Sequence, residues 1–197
     1  MAYFHRKQTP PRFTRYPKYK PYLQVDFFRC CAYCEMSEAY RNGTDAFGVD
    51  HFRPRCRFPD LECHYPNLYY CCNECNRYKG TTWPSEASAG KEHCFADPCE
   101  CDLFLDHLRE EEDGRVTALT PQGDFMLQHL RLNRETCLRF RRRRAQTRQR
   151  IVQYSESIAS LDAPDEILTL LSQIIEDIRS EWVEHYSIGG QRSDNSS

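Results

Sequence analysis

Cys31-Ala-Tyr-Cys34, Phe47-Gly-Val-Asp50-His51 and Asn67-Leu-Tyr-Tyr-Cys-Cys72-Asn-Glu-Cys75-Asn76-Arg-Tyr-Lys79-Gly80 together decide the fold. Two Cys-x-x-Cys pairs bracket two short β-prone runs, Phe47 to Asp50 and Leu68 to Cys71. A short helix is expected to begin near Asn73 and to stop at Gly80, a good terminator. The order is therefore strand, loop, strand, helix. Four thiolates at this spacing can close a tetrahedral zinc site, each pair on a tight knuckle, tying the start of the segment to its end. Such a site has no open position for water, so it is structural, and its binding energy, on the order of 10 kcal/mol, becomes folding energy. The spacing favours Cys31, Cys34, Cys72 and Cys75, although Cys30 and Cys71 adjoin them and leave the register open. Cys56, Cys63, Cys94, Cys99, Cys101 and Cys137 read as ordinary buried thiols, with a second metal at Cys94, Cys99 and Cys101 as the lesser alternative.

Working outward, residues 1–24 interleave Pro10, Pro11, Pro17 and Pro21 with aromatic and basic side chains, which reads as an extended arm and not a helix. The arm either packs its aromatics on the domain or contacts nucleic acid. Residues 25–115 form the cysteine-rich core with a loop-rich extension from 81, in which Glu111 to Gly114 is a turn. A helical region follows over 116–190. Asn133 is its expected N-cap for a long helix to about Ser160. Beyond Pro164, Ile167, Leu168, Leu171, Ile174, Ile175, Ile178 and Trp182 form one apolar stripe at helical spacing. Gly189-Gly190 ends that helix, and residues 191–197 are expected to be disordered. The fold class is thus α+β, a small metal-stapled core plus a helical C-terminal region.

The 197 residues carry a net charge of only −2, but the charge is segregated. Basic residues crowd the first thirty positions and the run Arg139, Arg141 to Arg144; acid gathers in Glu100 to Asp113 and the last helical segment. That distribution suits a polyanionic partner. Twelve cysteines would signal disulfides in a secreted chain. The N-terminus, however, has no apolar signal core, and no run is long enough to span a membrane. The expected location is the cytoplasm, where thiols stay reduced and bind metal.

Asp50-His51 at a strand end, Asn67 and Asn76 are the residues with chemistry to offer. Phosphodiester hydrolysis needs an activated water and compensation of charge on the phosphate and leaving oxygen. A histidine near pKa 6.5 can take the water's proton. A carboxylate and an amide oxygen can hold a hard divalent ion. Adjacent strand residues point to opposite faces, so His51 and Asp50 suit two separate tasks. Asn76 would complete the ligand set, and Asn67 would hold His51 or its loop by hydrogen bonding.

Asp50-His51-Phe-Arg-Pro54, Asn67-Leu68 and Cys72-x-x-Cys75-Asn76-x-x-Lys79-Gly80 resemble the HNH endonuclease motif in its zinc-stapled form. The resemblance implies a ββα-metal fold with His51 as general base, Asp50 and Asn76 as ligands of Mg2+ or Mn2+, and Asn67 as support for the histidine. The third motif position is Asn here, one of two residues the family uses. Cys31-Ala-Tyr-Cys34-Glu35, Phe95-Ala-Asp-Pro-Cys-Glu100 and Leu130-Arg-Leu-Asn133 extend it to the HNH subunits of bacterial anti-phage systems, the Septu (PtuB-like) and retron-associated nucleases. A PtuA-like ATPase partner of the ABC type is implied; this chain itself has no Walker sequence.

Arg53, Arg55 and Arg57 after the histidine, with Arg77 and Lys79 after Asn76, are expected to grip a nucleic-acid backbone with little sequence preference. DNA is favoured over RNA. Arg141 to Arg144 point all round a helix, so some must meet acidic protein surface or a partner. The rival readings are an RNA- or tRNA-cleaving effector and a zinc-dependent nucleic-acid-binding module without activity.

Overall fold

The computed structural model of the chain describes residues 4–6, 8–84, 94–160 and 164–186. It is a mixed α+β fold with two antiparallel two-stranded sheets. The N-terminal arm is less extended than expected. A 3-10 turn at Tyr16–Tyr19 leads into helix α1 (Lys20–Asp26). Pro17 and Pro21 do not prevent this because each stands in a first turn, where the N–H it lacks would have no intrahelical acceptor. The arm's aromatics pack on the domain, the first of the two readings. Phe4, Tyr19 and Leu23 are buried in the core. The Arg6 guanidinium donates to the carbonyls of Pro66 at 2.9 Å and Leu68 at 2.8 Å, lying over the rings of Phe27, Tyr65 and Tyr69.

Strands β1 (Phe47–His51) and β2 (Leu68–Cys72) pair with Phe47 opposite Cys72 and His51 opposite Leu68. Helix α2 (Asn73–Lys79) follows without a break and ends at Gly80, whose φ of 52° is easiest for glycine. Tyr33, Tyr69 and Tyr70 are buried around this small sheet.

The stretch from 81 to 115 holds more structure than expected. A single π-type turn (Leu103–His107) leads to a hairpin of β3 (Leu108–Glu110) and β4 (Val116–Ala118) around the Glu111–Gly114 turn. Strands of three residues are too short for alternation to register. The boundary expected at residue 115 runs through this hairpin. Helix α3 (Pro121–His129) packs so closely that a Cβ on Gly123 would lie 2.0 Å from the His107 carbonyl oxygen. Asn133 does not cap the next helix. Its amide instead bridges the N–H and C=O of Val116, at 2.7 and 2.8 Å, and Arg134 takes the cap position of α4 (Glu135–Ala159).

Within the arginine run, Arg141 is buried and donates to the carbonyls of Gly114 and Leu132, while Arg144 is buried between Glu110 and Glu35. Arg142 and Arg143 are exposed. Two of the four therefore serve the fold. Helix α5 (Asp165–Tyr186) packs against α4. Its apolar stripe is divided: Leu168, Leu171 and Ile175 are half-buried, whereas Ile167, Ile174 and Ile178 are exposed, as is Leu170 outside the stripe. Gly189-Gly190 and the expected tail at 191–197 lie outside the described residues. No helix among the described residues is long and apolar enough to cross a membrane.

Candidate metal centre and active site

Cys31, Cys34, Cys72 and Cys75 are all buried, and their Sγ atoms lie within 4.8 Å of one another. A zinc–sulfur bond of about 2.3 Å in a tetrahedron gives sulfur–sulfur edges of about 3.8 Å. The Cys34–Cys72 separation is 3.8 Å. The donor set and its geometry fit a tetrahedral ion, and the four cysteines that gather are those the spacing favours. Cys30 and Cys71 are buried outside the group, with Cys71 Sγ directed at the Cys72 carbonyl and its thiol pushed up to about 12, chiefly by burial. Among the described residues no second such cluster forms at Cys94, Cys99 and Cys101.

Local structure aims these sulfurs. Glu35 adopts φ 57° and its N–H closes on the Cys31 carbonyl at 2.9 Å, completing the first knuckle. Cys72 is the N-cap of α2, and its sulfur accepts from the Cys75 N–H. The Cys34 thiol is lowered, first by Cys137 and then by the other three sulfurs, while Cys31, Cys72 and Cys75 are raised. A divalent ion would favour four thiolates at once.

His51, at the end of β1, is nearly buried. Its Nε2 lies 2.9 Å from the Glu62 carbonyl oxygen, which can only accept, so the neutral ring carries its proton on Nε2 and its lone pair on Nδ1. Burial is the main cause of a pKa below the usual 6.5, so the ring is neutral and basic at pH 7. The Tyr16 ring meets it edge-on, with centroids 4.7 Å apart. Asn67 shapes the loop that follows. Its side chain accepts from the Arg53 N–H at 2.8 Å and donates to the Arg53 and Leu61 carbonyls, while its own carbonyl takes the Phe52 N–H.

Asp50 and Lys79 depart from expectation. Lys79 is fully buried and cannot reach a phosphate. Its Nζ lies 3.2 and 3.1 Å from the two Asp50 carboxylate oxygens and 2.7 Å from the His51 carbonyl. Tyr33 Oη also donates to Asp50, at 2.6 Å. An internal ammonium thus already has three oxygens around it where a cation was expected. The proposed Asp50–Asn76 ligand set does not fit a divalent ion in this geometry. The alternation that sends Asp50 to the face opposite His51 also delivers it to Lys79, six residues into α2. Asn76 is half-buried on the same helix, its side-chain nitrogen 3.7 Å from where a Gly48 Cβ would stand.

Arg53, Arg55, Arg57 and Arg77 are exposed, as phosphate contacts must be. Arg53 lies over Phe58 and Trp83, Arg55 over Tyr16, and Arg57 donates to the Trp83 carbonyl. A cavity of about 400 Å³ lined by Tyr40, Arg41, Asn42, Ala46, Thr136 and Arg139 includes none of these residues. Two participants had no signal in the spacing: Arg134, which donates to three of the four cysteine sulfurs, and Cys137, buried on α4 and the largest influence on the Cys34 thiol. Both lie about a hundred residues beyond the first knuckle. Compared with family models, curated proteins and solved structures, the chain matches none.

Proposed function

We propose that the chain is an HNH-type endonuclease that hydrolyses nucleic-acid phosphodiesters, DNA in preference to RNA, with His51 as general base and a structural zinc ion on Cys31, Cys34, Cys72 and Cys75. The observation that carries the reading is the His51 Nε2 bond to the Glu62 carbonyl. It fixes the ring and leaves Nδ1 to take a proton from water, while burial keeps the ring neutral. Asn67 holds the loop behind the ring. The exposed Arg53, Arg55 and Arg57 supply positive charge to the phosphate backbone. The zinc ion, when bound, ties the two knuckles together and takes no part in hydrolysis.

The resemblance adds an anti-phage setting in the reducing cytoplasm and an ATPase partner. The exposed edge of α5, Ile167, Leu170, Ile174 and Ile178, supports a docking role. Plasmid DNA and total RNA are incubated side by side with zinc-loaded wild type and His51→Ala, with Mg2+ or Mn2+ added or omitted. Cleavage that vanishes in the variant supports the nuclease and names its substrate; the two metal arms read whether a divalent ion is needed. A second reading, a nucleic-acid-binding module without activity, is favoured by the pairing of Asp50 with Lys79. Binding without cleavage by loaded wild type, even with a co-purifying partner present, would establish it.

A further inference from the structure

The four-cysteine group is formed by two knuckles, but a third segment reaches it. Arg134, at the N-cap of α4, places Nη2 at 3.7 Å from Cys34 Sγ, 3.7 Å from Cys72 Sγ and 3.3 Å from Cys75 Sγ. Cys137, one turn on and therefore on the same face of the helix, is the buried cysteine of α4 on that side. The Arg134 side chain is only 9% exposed and every edge of it is held. Nε donates to Glu74 Oε2 at 3.1 Å, Nη1 to the Leu130 carbonyl at 3.0 Å, and the guanidinium lies over Tyr78. Glu74 in turn is fixed by Arg41 at 2.7 Å and by the Thr136 hydroxyl.

This is a costly arrangement unless the sulfurs are charged. Glu74 partners the Nε edge, but Nη2 faces the sulfurs, and neutral thiols are weak acceptors for a buried guanidinium. A metal ion bound by four thiolates is doubly negative, and sulfur in that state is a strong acceptor. Resting on the metal-centre reading above, we infer that Arg134 is a positioning residue of that centre, offsetting its charge and seating α4 on it with Cys137. Metal loading and docking of the C-terminal helices are then one event. The Nη2···S contacts strengthen when the thiolates are formed, so the apo protein holds the start of α4 less tightly. Outer partners of metal ligands are typically worth about 10- to 100-fold in metal affinity.

Zn2+ content and the rate of Zn2+ transfer to a chromophoric chelator are measured for wild type, Arg134→Gln, Arg134→Lys and Cys137→Ala, and each is also loaded with Co2+. Arg134→Gln should release zinc at least 10-fold faster and move the sulfur-to-cobalt charge-transfer band to lower energy, because fewer hydrogen bonds stabilise the sulfur electrons. Arg134→Lys should recover most of both effects, and Cys137→Ala should show a smaller shift. Limited proteolysis near residues 130–145 should rise in apo wild type and in loaded Arg134→Gln alike. If Arg134→Gln does not accumulate, Arg134→Met, which likewise removes the N–H donors, carries the same comparison. A wild type that takes up neither Zn2+ nor Co2+ sinks the metal centre and this inference with it. A loaded wild type whose variants keep its band position and release rate sinks the inference alone.

Discussion

Replacing Lys79 with Met tests the least expected feature of the site. The side chains of Lys79 and Asp50 are 0% and 4% exposed, and they meet at 3.1 Å. Removing the ammonium leaves a buried carboxylate with only the Tyr33 hydroxyl as partner. An uncompensated buried charge costs about 3–5 kcal/mol. For a chain of this length each kcal/mol moves the midpoint by about 2–4 °C, so a fall in Tm of roughly 6–20 °C is expected. Asp50→Asn should cost a comparable amount, because it strands the ammonium on the His51 carbonyl. The double variant should be less damaged than the sum of the two, with a coupling energy of about 2–3 kcal/mol. Thermal and urea melts in zinc-saturated buffer provide the cycle. A parallel titration with Mg2+ asks whether the freed carboxylate of Lys79→Met now gains stability from a cation that wild type ignores. Single losses under about 1 kcal/mol, or strict additivity, would refute the ion pair as described. Mg2+ stabilisation of wild type that disappears in Asp50→Ala would refute it too, since Lys79 would then be yielding its place to the metal.

Burial holds the His51 pKa down. The acid limb of the kcat/KM profile should therefore lie below pH 6.5, and a limb at or above that value would contradict the buried, neutral ring. Since the unfolded state takes up this proton first, stability contributed by neutral His51 is complete above about pH 6.5 and declines as pH falls toward the folded pKa. A chelator strong enough to strip zinc should collapse cooperative melting, on the scale of about 10 kcal/mol, and Zn2+ should restore it; an apo protein with an unchanged melt would show that the cysteines merely pack. Gly123→Ala forces a methyl to 2.0 Å from the His107 carbonyl oxygen, so α3 must move. A loss of about 1–3 kcal/mol is expected by denaturant melt, and a neutral substitution would mean that the hairpin and helix are less tightly joined.

The legible parts of this protein are those where chemistry repeats locally. The knuckle spacing picked out the four sulfurs that gather, and the strand and helix bounds between Phe47 and Lys79 agree with the sequence reading to within a residue. The opaque parts depend on distant contacts. Lys79 looks like a phosphate contact in a basic stretch, and only the closing of α2 on β1 turns it inward to Asp50. Asn133 has the chemistry of a cap, yet Val116 competes for it with two hydrogen bonds. Arg141 and Arg144 carry the strongest basic signal in the chain, but bury it against carbonyls and carboxylates of another element. The prolines of the arm were read as helix-breaking without regard to their position in the first turn.

The separation along the chain between Arg134 and Cys34, 100 residues, bears on how the protein is made. On the ribosome the first knuckle emerges early and must wait for residue 75 before any ion can be enclosed. It must wait again for residue 134 before the enclosed charge is balanced. At synthesis rates of about 5–20 residues per second, that second interval lasts several seconds. During it the nascent chain carries an exposed, electron-rich sulfur cluster and an unfilled seat for a helix not yet translated. Shortening that wait, by circular permutation or by supplying residues 116–190 in trans, would show how far the order of synthesis governs the yield of folded protein.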